Sequence, residues 1–143
     1  MPREVRAPSG GTPPPAAATL EDGEVLHLAP LAHEISRRFQ REHPDEEARY
    51  GEAAYAWCVH DNQWLLGWAT EDLAIGEQHL AKNVQWLAGL LRARGYPFER
   101  LARDLEIAAE VVGDGTEARA RLAAKLREGA QSVPRGHARA RPI

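Results

Sequence analysis

The chain is poor in the residues that usually announce a chemistry. It has one cysteine and one methionine among 143 residues, and its aromatic residues are four Trp, three Tyr and two Phe. A lone Cys58 leaves no partner for an internal disulfide and suits a reducing compartment. It also removes the Cys-rich zinc patterns, even with six histidines present. No apolar run reaches the ~18 residues of a membrane span. Pro2, Pro8 and Pro13 to Pro15 occupy the stretch where a secretory leader would need apolar residues, so a cytoplasmic location is expected. There is no Gly-rich phosphate loop, no Gly-x-Ser-x-Gly elbow, no His-Glu-x-x-His and no Cys/His pair at nucleophile spacing. The Glu-x-x-His spacing of carboxylate-bridged metal bundles occurs at Glu24 and His27, at a helix edge, where two such helices would be needed. No cofactor is specified.

The charge is unevenly spread. The net value is −3, yet residues 131–143 carry Arg135, Arg139 and Arg141 with no acid, and residues 1–19 carry Arg3 and Arg6 against Glu4. The centre is therefore more acidic than the whole, which argues against general nucleic-acid binding. Arginine far outnumbers lysine and alanine is abundant, a composition that points to a GC-rich bacterial genome.

Hydrophobic periodicity predicts an all-α fold, an antiparallel helical bundle of four to five helices in residues 20–130. Residues 1–19, rich in Pro, Ala and Gly, are expected to be a disordered tail, and 131–143 a flexible basic one. A first helix over Glu24 to Glu42 is expected to bury Val25, Leu28, Ala32, Ile35 and Phe39. A second helical stretch, with Gly51 as a kink, is expected to end near Ala69, where Thr70-Glu71-Asp72 reads as a tight connection. A third helix is expected over Leu73 to Arg94, stopped by Gly95 and Pro97. A fourth covers Phe98 to Val112, and Thr116 caps a fifth whose apolar face (Ala118, Leu122, Leu126) is thin.

The second helix carries the candidate site. At ~100° per residue Trp57, Trp64 and Trp68 fall within about 40° of one another, with Ala54, Cys58 and Leu65 alongside. Asp61 lies within that arc, whereas His60 and Gln63 fall on the polar side. A buried, unpartnered carboxylate costs several kcal/mol or takes up a proton. Glu77 occupies a similar edge position on the third helix, and a hairpin centred near residue 70 would set it level with Asp61. Either the two acids are structural, each with its own donor, or they mark a polar spot in a Trp-lined pocket. His79 is expected to face Ile75, Trp86 and Leu90, on a second apolar face that would sandwich the third helix between neighbours.

The segment from Trp68 through Glu77-Gln78-His79 to Ala81 resembles the helical cap of bacterial cobalamin-binding modules, which place a Trp and, about ten residues on, an acid-His pair over the corrinoid. Here Gln78 stands where that acid would be. The resemblance implies that Trp68, Glu77 and His79 contact a flat tetrapyrrole shared with another protein. The α/β corrinoid domain that follows in that family has no room in this chain.

Three functions are thus open. One is a non-enzymatic interaction or regulatory module with a protein partner or a second copy. Another is a bundle sensing a small aromatic or tetrapyrrole ligand through Trp57, Asp61, Trp64, Trp68, Glu77 and His79. The last is an enzyme using Asp61 and Glu77 as acid and base.

Overall fold

The computed structural model describes residues 8, 11–113 and 115–134. The expected tails at 1–7, 9–10 and 135–143 lie outside the described residues. Two short strands, β1 (Ala17–Thr19) and β2 (Val25–His27), precede six helices: α1 (Leu28–Glu42), α2 (Asp45–Tyr50), α3 (Ala53–Ile75), α4 (His79–Ala93), α5 (Arg100–Val112) and α6 (Glu117–Gln131). The fold is all-α apart from this hairpin.

The chain takes shape earlier than its composition implies. Ala17, Ala18 and Thr19 pair antiparallel with His27, Leu26 and Val25, around a turn whose Gly23 has φ 92°. The first predicted helix therefore begins at Leu28, and Val25, expected in the core, is exposed on the hairpin. Leu26 and Leu20 turn inward instead. Upstream, the carbonyl of Pro15 accepts from Gln63 Nε2 at 3.1 Å and that of Ala16 accepts from Leu28 N at 2.9 Å. Gly67 makes room for this arm, since a Cβ there would stand 2.6 Å from Cγ of Pro15.

Gly51, at φ 87°, ends a separate six-residue helix α2, where a kink within one helix was expected. The larger departure lies at Thr70-Glu71-Asp72. These residues continue α3 to Ile75, and the reversal comes at Gly76, left-handed at φ 69°. The Thr70 hydroxyl donates to the Leu66 carbonyl within the helix. Asp72 is buried, and its two carboxylate oxygens accept from the backbone N–H groups of His79 (3.0 Å) and Leu80 (2.7 Å). The acid thus caps α4 from the preceding helix, satisfying N-terminal donors that would otherwise be orphaned.

The later helices follow their periodicity. Gly95 is left-handed at φ 77°, and Thr116 Oγ1 accepts from Arg119 N as the cap of α6. The face of α6 is less thin than its sequence implies. Ala118, Leu122, Ala123, Leu126 and Ala130 are all buried, with Val133 beyond the helix end, and α5 and Leu80 of α4 cover them. No partner is needed for that surface. The core combines these residues with Ile35 and Phe39 of α1, Leu65 and Leu66 of α3, Leu80 and Val84 of α4, and Leu105, Ile107 and Val112 of α5.

Candidate functional site

The candidate residues lie on α3, in the turn that follows it or, for His79, at the start of α4, so the orientation of α3 decides most of what they can do. The side of α3 facing the bundle carries Ala54, Val59, Asn62, Leu65, Leu66 and Ala69. Small residues at 54, 58 and 69 let α1 approach closely, which suits ridge-and-groove packing at 8–10 Å between axes. The centre of this buried arc lies more than 100° around the helix from the three tryptophans, by ~100° per residue. The expected stripe is thereby split: its Ala54, Cys58 and Leu65 half packs inward, and its indole half lies at the outer margin, with Trp68 still touching the core. Trp64 and Trp68 are half-buried, with rings tilted against each other at 5.8 Å. Trp57 is half-exposed and meets His60 edge-on at 5.1 Å, and Ile75 continues the same side at 54% exposure.

The two acids do not meet. Asp61, with 36% of its side chain exposed, accepts from or pairs with His60 Nδ1 at 3.1 Å. Glu77 stands in the turn with 55% of its side chain exposed, because the hairpin pivots near residue 77 rather than 70. That shift sets Glu77 beyond the end of α3 instead of level with Asp61. His79, expected to point away from Glu77, opens α4 with its ring nitrogens 3.7 Å from Asp72 Oδ1 and 3.8 Å from Glu77 Oε1. Trp86 is 63% exposed on the outer side of α4, so that helix is not sandwiched there.

The buried chemistry lies on the opposite side of α3, among residues the sequence reading passed over. Asn62 Nδ2 lies 3.0 Å from Asp104 Oδ1, 3.0 Å from the Cys58 carbonyl and 3.4 Å from Ser36 Oγ, joining α1, α3 and α5. Asn62 Oδ1 has no hydrogen-bond partner, alone among the buried side-chain polar atoms of the described residues. Burial pushes the Asp104 carboxyl up from 3.8 to about 7, with Asp61 and Glu46 reinforcing the rise and Asn62 opposing it. Burial, then the Asp104 charge, likewise raises the Cys58 thiol well above its ordinary value, so it is a poor nucleophile. Alongside, the buried Glu46 accepts from the Tyr96 hydroxyl at 2.8 Å and pairs with Arg100, which also reaches Asp45 at 3.0 Å. A signal for Asp104 was present in the sequence, because it borders the Phe98, Leu101, Leu105, Ala108 face at about 40° from Ala108.

Two clefts open elsewhere. One, of 250 Å³, lies between the hairpin, the end of α3 and α6, lined by Thr19, Leu20, Thr70, Leu73 and Ala118. It is small against the ~300–1,000 Å³ of small-molecule sites. The other is a charged surface depression beside Arg103, Glu106 and Arg127. Among the described residues, no group of three or more His, Cys, Asp or Glu is placed to hold a metal ion, and no helix is long and apolar enough to cross a membrane. No family model matches this chain, and neither the curated proteins nor the solved structures include a significant match.

Proposed function

We propose that this chain is a non-enzymatic helical interaction module that docks a protein partner on the outer face of α3. The observation carrying this reading is a helix furnished with apolar residues on both sides. Its inner face completes the bundle core, while Trp57 and Ile75 are exposed on the outer one and the half-buried Trp64 and Trp68 line its edge. Partly exposed indoles in a row leave apolar surface in water, and tryptophan is the residue most enriched where interfaces concentrate their energy. The sensing and acid-base readings needed Asp61 and Glu77 to converge, and the turn at Gly76 separates them. A reducing, bacterial cytoplasmic setting is part of the proposal, supported by the single cysteine and the arginine-rich composition.

The test is site-specific photocrosslinking in the native host, with a benzophenone amino acid at position 64 or 68 and, as control, at the exposed Ala120 of α6. A discrete adduct from 64 and 68 that is missing from 120 is the expected result. Adducts no stronger at the indole positions than at Ala120 would remove the basis of the proposal.

A further inference from the structure

The outer face of α3 also shows what kind of partner it fits; this step rests on the docking proposal above. Trp57, Asp61, Trp64, Trp68, Glu71 and Ile75 succeed one another at steps of four, three, four, three and four, the spacing of a helix seam. Four of the six are apolar, and the other two are acids. The 23 residues of α3 include no lysine or arginine, and the third acid, Asp72, is buried as the cap of α4. Glu77 adds a further exposed acid just past the helix.

A second copy of the chain is a poor occupant for such a seam. Antiparallel self-pairing that seats Trp64 against Trp68 of the other copy sets Asp61 against Glu71 of the other copy, twice across the axis. Parallel pairing in register sets each acid against itself. Like charges in a seam select against self-pairing. We infer that the α3 seam takes an amphipathic helix of another protein, one that presents apolar residues to the indoles and Lys or Arg to Asp61 and Glu71. The two acids are ten residues apart, about 15 Å along the axis, so the cations must be spaced likewise.

Three amidated 21-residue peptides with one leucine-rich face test this. They differ at two flanking positions ten residues apart, which carry Lys, Gln or Glu. Binding is read from the tryptophan emission of the full chain, using tryptophan-free peptides, and self-association from sedimentation over a range of protein concentrations. The Lys peptide is expected to bind at least tenfold tighter than the Glu peptide at low salt, with the gap narrowing at 0.5 M salt. In D61K/E71K the preference reverses, and in D61N/E71Q, a milder change guarding against misfolding, it disappears. Equal binding of all three peptides, abolished by W64A/W68A, would keep the docking face and overturn its charge selectivity. A dimer at micromolar concentration that W64A/W68A dissociates would assign the face to a second copy. A monomer that binds none of the peptides would overturn the inference and the docking proposal together.

Discussion

Replacing Asp104 with asparagine tests whether the folded chain holds a proton in its interior. The Asp104 carboxyl sits where α1, α3 and α5 meet, 3.0 Å from Asn62 Nδ2 and 3.9 Å from the Cys58 sulfur. Its pKa rises from 3.8 to about 7, chiefly through burial. Because the folded value exceeds the unfolded one, folding takes up a proton between about pH 4 and pH 7. Stability is then fully present at the acid end and falls by about 1.4 kcal/mol per pH unit until the folded carboxyl ionises, after which it levels. Between pH 5 and pH 8 the loss spans about two units, or roughly 2.5 kcal/mol. A neutral amide at 104 has nothing to ionise and offers an N–H donor to a cluster whose Asn62 Oδ1 lacks one.

Urea denaturation of wild type and Asp104→Asn at pH 5, 6, 7 and 8, at constant ionic strength, separates this term from every other titration, since the rest is common to both proteins. The variant is expected to gain on the wild type by about 2–3 kcal/mol from pH 5 to pH 8, with unchanged m-values. Parallel stability profiles, within about 0.5 kcal/mol, would show that Asp104 is ionised in the fold across this range and that the cluster tolerates its charge.

Other substitutions probe the remaining contacts. Asp72→Ala removes the acceptor for two α4 amides and is expected to cost about 2–3 kcal/mol, with faster hydrogen exchange at His79 and Leu80; a loss under 0.5 kcal/mol would refute the cap. Arg100→Ala strands the buried Glu46 and is expected to cost about 3 kcal/mol in chemical denaturation, with Arg100→Lys recovering part of it because one ammonium cannot bridge Glu46 and Asp45 as a guanidinium does. Gly67→Ala gains up to about 1 kcal/mol of helix propensity but drives its Cβ into Pro15. The arm should lift, and the Leu28 amide, bonded to Ala16, should exchange faster while the core stays protected.

Much of the fold was legible because its signals are local. Pro44, Gly95 and Pro97 mark helix limits through backbone geometry and Thr116 through its side-chain cap, and the periodic faces of α1, α5 and α6 are the ones that pack. The hairpin of residues 17–27 was not legible, since three-residue strands leave no alternation to detect and Pro13 to Pro15 lower the expectation of order. The turn between α3 and α4 was misplaced because Thr-Glu-Asp reads as a cap at either end of a connection. Asp72 does cap a helix, but across seven residues of sequence, and Gly76 held the better stop signal. Moving the turn by about seven residues carried Glu77 away from Asp61, and with it the pocket that the two acids implied.

The orientation of α3 is the deeper reason the site eluded the sequence. A helix with apolar residues on two sides has no single inward direction of its own, and its neighbours choose one. Ala54, Val59, Leu65, Leu66 and Ala69 take the inner side, Trp68 packs against the edge of the core, and Trp57 is left at the surface. The inner face thus combines Val59, Leu65 and Leu66 with small residues, and the indoles are displaced to its margin and beyond. That displacement has a measurable consequence. Trp64→Ala should cost about 1 kcal/mol or less in urea denaturation, against the 3–5 kcal/mol typical of a core tryptophan. A loss of 3 kcal/mol or more would mean that the indole belongs to the core, and the outer face of α3 would then have no stripe to offer a partner.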